Sequence, residues 1–187
     1  MNKILIIIHL VAFLFTANSF SADSYQLRLD AGANIFFGRL YEAINEPIPE
    51  YESAKLGQYL AIAVHKPISD TSSIGTRLDI QNFNDHVLLS VRAIDYQYSL
   101  SKSFTTNIFL GAARYQFRTP AYGYSAGIGM LYQPNEWGNW GLQTEFQYFD
   151  MLARDKLTAE DPTGAEYNGL DSFTYFQAIS IGVNYYF

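Results

Sequence analysis

The chain of 187 residues contains no cysteine, so no disulfide bond can stabilise it, even outside the cytoplasm where such bonds form. Charged residues are scarce as well, at 16% of the sequence, and their net charge is −6. An acidic chain has no electrostatic basis for binding nucleic acid. Long apolar runs are also missing, because beyond the first 22 residues no segment could cross a bilayer as a helix of roughly 20 residues.

Aromatic residues, by contrast, are abundant. They make up 17% of the sequence, with 15 Tyr and 14 Phe, while the mean hydropathy is close to zero at −0.05. This combination suits strands that alternate between an apolar face toward lipid and a polar face on the other side.

The amino terminus predicts export. Lys3 is followed by an apolar run from Ile4 to Phe15 and then by small residues up to Ala22. A charged start, a short apolar middle and a small-residue end form a secretory signal. We expect residues 1–21 to be cleaved and residues 22–187 to form one domain; an uncleaved membrane anchor is the alternative.

The last fifteen residues alternate most clearly. Every second position carries a large, mostly apolar side chain, and the positions between them are smaller and more polar on balance. A period of two places these sets on opposite faces of one strand. The larger set is Phe173, Tyr175, Gln177, Ile179, Ile181, Val183, Tyr185 and Phe187.

Seven similar segments precede this one. Prolines separate several of them, because proline lacks the amide donor that an interior strand needs. The eight predicted strands span about 25–37, 56–65, 74–83, 87–100, 104–117, 122–133, 140–149 and 173–187. An even number of strands places both ends of the chain on the same side of a barrel.

The fourth predicted strand breaks the alternation. The apolar set that begins at Val87 is out of step with the set that begins at Ile94. A β-bulge near Ala93 and Ile94 would return both sets to one face.

The fifth predicted strand cannot be oriented from its pattern. Ile108, Phe109 and Leu110 are apolar on both faces. Arg114 lies near the outer rim if it follows Ile108 and Leu110 outward, and in the lumen otherwise.

Charged residues decide which face points inward. An arginine against lipid costs roughly 2–4 kcal/mol at mid-membrane, so the polar face must line the lumen. Eight strands enclose a space just wide enough for side chains, and charges in that space must pair. The predicted polar network, with a structural role, comprises Arg28, Asp30, Arg77, Asp79, Arg92, Asp95 and Glu145.

Aromatic residues predict the two membrane interfaces. One belt comprises Tyr25, Tyr98, Tyr132, Trp140, Tyr185 and Phe187, and the other Phe37, Tyr122, Tyr124, Tyr148, Phe173 and Tyr175. A soluble lipocalin-type barrel, whose apolar face would point inward, is the architectural alternative that these outer belts argue against.

The strand count, the signal sequence and the ending from Ile179 to Phe187 resemble the small OmpA/OmpX-type barrels of Gram-negative outer membranes. The resemblance implies an all-β, eight-stranded antiparallel up-and-down transmembrane barrel in the cell outer membrane. It also implies that both termini are periplasmic and that the external loops span about 38–55, 82–86, 117–121 and 150–172.

The same resemblance implies partners. In this family a terminal aromatic residue with alternating apolar residues is the assembly signal, which here corresponds to Ile179, Ile181, Val183, Tyr185 and Phe187. The expected partners are therefore the barrel-assembly machinery, outer-membrane lipid and lipopolysaccharide. Nucleic acid is not an expected partner.

No residue predicts an enzyme, a cofactor or a metal site. Barrel lipid A deacylases carry a His-x-Ser-Asn element that this chain lacks. His86 and Ser90 lie about 13 Å apart along a strand, too far for a base and its nucleophile, and His65 is expected beside a turn. The acidic residues of the first and fourth loops show no EF-hand spacing.

The predicted function is a structural or surface-interaction role with a side-chain-filled lumen, rather than an open pore. The alternatives are a lipid A-modifying enzyme and an adhesin that acts through residues 150–172. That segment contains enough apolar residues to fold over the barrel mouth, namely Met151, Leu152, Leu157, Tyr167 and Leu170.

Overall fold

The computed structural model describes residues 25–39, 54–83, 86–116, 120–154 and 174–187. These form β1 (Gln26–Arg39), β2 (Lys55–Pro67), β3 (Ser72–Phe83), β4 (His86–Ser99), β5 (Phe104–Gln116), β6 (Pro120–Tyr132), β7 (Trp140–Arg154) and β8 (Thr174–Tyr186). A 3-10 turn, Asn135–Trp137, connects β6 to β7. Within the described ranges, no helix is long and apolar enough to cross a membrane. The predicted signal segment 1–21 lies outside the described residues.

The strands close into a barrel in which each pairs antiparallel with its neighbours in sequence, and β1 pairs with β8. Because the barrel is closed, the backbone N–H and C=O groups of its strands pair within the sheet. Strands in hydrocarbon require this pairing, since no water is present to replace it. The predicted fold class is confirmed. The placement of both termini in the periplasm stays a prediction.

Side chains alternate across the wall of this barrel. Large apolar residues point outward, so that Leu56, Ile128 and Ile181 are 79%, 56% and 64% exposed. The inward positions are buried and mostly polar; Arg77 and Glu145 are examples at 1% and 2% exposure. A barrel that is apolar outside and charged inside is arranged for lipid, the reverse of a lipocalin-type barrel.

The predicted β-bulge lies in β4. In the pairing with β5, the register of β4 shifts between Arg92 and Ile94. In the pairing with β3, the shift lies opposite the segment between Gly75 and Arg77. Ala93 and Ile94 both face outward, while Arg92 and Asp95 on either side of them are buried. The extra residue therefore keeps both charged side chains in the lumen.

The orientation of β5, which the sequence left open, is settled by the register. Ile108 and Leu110 face outward at 60% and 52% exposure, and Phe109 faces the lumen at 4%. Arg114 lies on the outer face, where its Nε donates to the Tyr122 hydroxyl over 3.3 Å.

The two ends of the barrel differ. Both described chain ends, Tyr25 and Phe187, lie with the short turns at one end, here called the turn end. The other end, the loop end, carries the connections outside the described residues. β7 continues to Arg154, so the predicted loop 150–172 was placed too early: Asp150 and Met151 still pair with Tyr175 and Thr174 of β8.

Aromatic contacts occur at both predicted belts. At the turn end the rings of Trp140 and Tyr185 lie 4.9 Å apart, and those of Tyr185 and Phe187 lie 5.0 Å apart. At the loop end Tyr124 and Tyr148 lie 6.3 Å apart on the outer face. Phe173, assigned to the second belt, lies outside the described residues.

One inward tyrosine requires glycine on the neighbouring strands. Tyr59 of β2 lies against Gly32 of β1 and Gly182 of β8, where a Cβ would overlap the tyrosine ring or its hydroxyl. The two glycines thus let a large side chain lie flat against the inner wall of a narrow barrel.

Replacing Ile128 with arginine should destabilise the barrel. Ile128 faces outward near the middle of β6, and arginine at mid-membrane depth costs roughly 2–4 kcal/mol. Urea unfolding of the protein refolded in phospholipid vesicles measures this loss.

Ile68→Arg is the matched control, because Ile68 is 57% exposed in the turn between β2 and β3. It should change the free energy of unfolding by less than about 0.5 kcal/mol. Equal losses in both variants would contradict the assignment of the β6 outer face to lipid.

Candidate functional site

The lumen holds the seven charged residues of the predicted network. β1 contributes Arg28 and Asp30, β3 contributes Arg77 and Asp79, β4 contributes Arg92 and Asp95, and β7 contributes Glu145. All seven are at most 2% exposed. They reach the lumen because each lies on the inward-facing set of its strand.

Arg77 connects three strands. Its guanidinium forms ion pairs with Asp79 at 2.8 Å, with Asp30 at 3.0 Å and with Glu145 at 3.3 Å. The same nitrogen that contacts Glu145 also donates to the Gln143 side-chain oxygen over 3.4 Å. One arginine therefore ties β3 to β1 and β7 across the barrel.

Arg92 has the most complete set of partners. Its Nη1 and Nη2 donate to the two carboxylate oxygens of Glu145 over 2.8 and 2.7 Å. Its Nε and Nη2 donate to the two oxygens of Asp79 over 3.1 and 3.3 Å. The guanidinium carbon also lies 3.6 Å from the centre of the Phe109 ring. Such forked contacts to carboxylates are the strongest hydrogen bonds that arginine makes.

Arg28 lies closer to the turn end. Its Nε pairs with Asp30 at 2.9 Å, and its guanidinium carbon lies 5.9 Å from the centre of the Tyr186 ring. Asp30 is thus shared between Arg28 and Arg77. The ion pairs form one continuous network rather than isolated pairs.

Uncharged side chains extend the network. Asn107 donates to Asp95 over 3.2 Å and to Glu145 over 3.3 Å. A relay of amides crosses the lumen from Asn34 to Gln81 over 2.8 Å, from Gln81 to Gln147 over 3.0 Å, and from Gln147 to Glu145 over 3.1 Å. Asn34, Gln81 and Gln147 lie on the polar sets that the alternation predicts to face inward, whereas Asn107 lies on β5, which the pattern leaves unoriented.

His65 lies two residues before the end of β2, beside the turn as expected, and its side chain faces the lumen. It is 1% exposed, and its Nε2 is 3.4 Å from an Asp95 carboxylate oxygen. Ala61, Ala63 and His65 share the inward parity of Tyr59, which is the signal that would have placed it. The seven network residues carry four acids against three arginines, and His65 adds a fourth basic side chain.

An aromatic plug, which the alternation of polar and apolar residues does not predict, fills the lumen at the loop end. It consists of Phe36, Phe83, Tyr115, Phe149 and Phe176, each at most 3% exposed. Phe83 and Phe176 are stacked at 4.6 Å between ring centres, and Phe149 lies 5.1 Å from Phe176. The inward sets of β1, β3, β5, β7 and β8 thus each carry an aromatic residue at the loop end.

The two residues considered for catalysis, His86 and Ser90, both lie in β4. Ser90 is buried on the inward face of β4, and the His86 ring lies 6.0 Å from that of Tyr115. In the described part of the chain, no group of three or more His, Asp or Glu residues could hold a metal ion. Most acidic residues of the first and fourth loops lie outside that part.

The assembly residues proposed from the resemblance lie on the outer face of β8. Ile179, Ile181 and Val183 are 50%, 64% and 45% exposed, and Tyr185 and Phe187 belong to the turn-end belt. The Phe187 amide donates to the carbonyl of Leu27 over 3.0 Å, which extends the β1–β8 seam to the last residue. Recognition by an assembly machinery stays a prediction.

Solved structures resemble this barrel. The crystal structure of Ail, the attachment invasion locus protein of Yersinia pestis, has a TM-score of 0.53 at 12% identity and covers 87% of this chain and 98% of that one. Ail in complex with the heparin analogue sucrose octasulfate has a TM-score of 0.51 at 10% identity, over 87% of this chain and 99% of that one. The crystal structure of Neisserial surface protein A has a TM-score of 0.48 at 12% identity, over 87% and 97%.

No protein-family model matches the chain, and no curated protein matches its sequence. At such low identity the likeness concerns the fold alone. It confirms the resemblance to small barrels of this type, and the apolar exterior described above agrees with it. The chain therefore has the fold of the small eight-stranded β-barrels of the outer membrane, and its apolar exterior suits a lipid bilayer.

Proposed function

We propose that this chain is a closed barrel of the cell outer membrane with a structural or surface-interaction role and no open pore. The observation that carries the proposal is the ion-pair network of Arg77 and Arg92, which joins β1, β3, β4 and β7 across the lumen. Eight strands leave no room for a water channel beside such a network.

The aromatic plug supports the same proposal. It lies on the loop-end side of the network, so a solute would meet a buried apolar layer in addition to the paired charges. Water and ions enter an apolar constriction poorly. The two layers together favour a barrel that separates the two sides of the membrane.

A non-catalytic role is part of this proposal. Among the described residues, His65 contacts Asp95 in the lumen, and Ser90 is buried on the same strand as His86. His65 thus faces a carboxylate in the lumen, where a lipid substrate would not arrive. Incubation of the purified protein with lipid A tests this part of the proposal. Release of fatty acid that is abolished by His86→Ala would contradict it.

Conductance measurements test the closed lumen. The purified protein in planar bilayers should show no stable open-channel current. The double variant Arg92→Ala with Glu145→Ala should raise the leak, because it removes the two side chains that meet at mid-lumen. A stable open-channel current from the unaltered protein would contradict the proposal.

Truncating one partner of the network should be costly. Arg92→Met leaves Asp79 and Glu145 without their forked donor, and an uncompensated buried charge costs about 3–5 kcal/mol. Adding Glu145→Met should recover part of that loss, because it removes one of the two carboxylates that have lost Arg92 as a donor. Urea unfolding in vesicles provides both free energies.

Lys66→Met is the control for that experiment, since Lys66 is exposed at the turn end of β2. It should change stability by at most about 1 kcal/mol. If Arg92→Met also lowers the free energy of unfolding by only about 1 kcal/mol, the network contributes little to the stability of the barrel.

Surface interaction is assigned to the connection between β7 and β8, residues 155–173, which lies outside the described residues. Deleting residues 156–168 should abolish cell-surface binding and leave barrel assembly intact, as measured by a heat-modifiability gel. Undiminished surface binding by the deletion variant would remove this segment from the proposal.

A further inference from the structure

A polar cavity opens at the turn end of the barrel, here called the turn-end vestibule. Its volume is about 720 Å³, within the range of roughly 300–1,000 Å³ that small-molecule sites occupy. The turns from β2 to β3 and from β4 to β5 form its rim, together with the ends of β1, β6 and β8. Hydroxyl and amide side chains dominate its lining, among them Gln26, Ser73, Gln97, Ser99, Thr105 and Gln133.

Gln97 of β4 forms the floor of the vestibule. It is 5% exposed, whereas the other five of these residues are half-buried or exposed. The Ser73 hydroxyl donates to its Oε1 over 3.3 Å, which fixes the orientation of the amide. Its Nε2 has no hydrogen-bond partner among the described residues. Because a buried donor without a partner is unfavourable, this amide is poised to donate to a molecule in the vestibule.

The β8 wall of the vestibule combines an aromatic ring with a second amide. Tyr186 lines the cavity, and its ring lies inside the barrel, where the guanidinium carbon of Arg28 is 5.9 Å from its centre. Asn184, two residues further into the lumen, is 1% exposed, and neither atom of its amide has a partner among the described residues. This wall therefore offers an apolar ring face above a group that can both donate and accept.

The charges of the vestibule favour a neutral ligand. In the part of its lining that the structure describes, the charged side chains are Asp70 and Lys102, one of each sign. Arg28, deeper in the lumen, is paired with Asp30 at 2.9 Å. An anion would therefore meet no cluster of cations here, and an apolar molecule would leave the hydroxyl and amide groups without water.

We propose that the turn-end vestibule is a binding site for a neutral saccharide. Sugar hydroxyls both donate and accept hydrogen bonds, as do the hydroxyls and amides that line this cavity. Gln97 donates through Nε2 to a sugar oxygen at the floor, and the C–H face of the sugar ring packs on the ring of Tyr186. The ligand class follows from the lining alone, so it holds for either orientation of the barrel in the membrane. Saccharide binding goes beyond the proposed function, since a closed lumen does not require it.

Titration with maltose and with N,N′-diacetylchitobiose, two neutral disaccharides, tests the site. The protein is refolded in dodecylphosphocholine micelles, because a detergent with a sugar headgroup would compete. Saturation-transfer NMR should show saturable binding of at least one disaccharide. Gln97→Met should weaken that binding about tenfold, the change that the loss of about 1.4 kcal/mol produces.

A second variant tests the cavity rather than the amide. Ser99→Phe places a ring in the vestibule and should weaken binding as well. The matched controls are Gln58→Met, at an exposed glutamine toward the loop end of β2, and Ala33→Phe, at an exposed alanine on the outer face of β1. Both controls should bind the disaccharide as the unaltered protein does. A heat-modifiability gel checks that every variant is folded.

The absence of saturable binding of either disaccharide to the unaltered protein would overturn the proposal. Equal binding by the unaltered protein, Gln97→Met and Ser99→Phe would overturn it too, because the sugar would then lie elsewhere. Inorganic phosphate serves as a further probe, and tighter binding of phosphate than of either disaccharide would overturn the assignment to a neutral ligand. Each of these results would leave the closed lumen in place, because bilayer conductance tests that function separately.

Discussion

The absence of water around the strands is the constraint on which this structure depends. A backbone amide in hydrocarbon has no solvent partner, so the sheet must close on itself, and eight strands close around a space the width of a few side chains. Charges that face this space cannot be hydrated as they would be in a channel. Arg77 and Arg92 therefore share Asp79 and Glu145 in a network that spans four strands.

The sequence is sufficient to predict which side chains of the barrel wall face inward, because a period of two fixes the face of every residue in a strand once one residue is placed. Once Arg28 and Asp30 are excluded from lipid, every other residue of β1 is oriented, and the same argument places Arg77 and Asp79 in β3. The bulge near Ala93 was predictable for the same reason, since two apolar sets out of step can share one face only through an extra residue.

The contents of the lumen were less predictable, because parity orients a side chain but does not pair it across strands. Phe109 lay in an apolar run without polar neighbours, and only the ladder with β4 and β6 oriented it. His65 was judged by its distance from a turn rather than by its parity with Tyr59. The aromatic plug was missed because Phe36 and Phe83 are apolar residues on a face that had been classed as polar.

The bulge in β4 makes the strand tolerant of one particular deletion. Without Ala93 the strand would alternate without interruption, with Arg92 and Asp95 still inside and Ile94 outside. Loss of one residue at almost any other place in the strand would invert all that follows it and put a charge against acyl chains. Ala93 is thus a position where the deletion of one residue would leave the inward and outward sets of β4 unchanged.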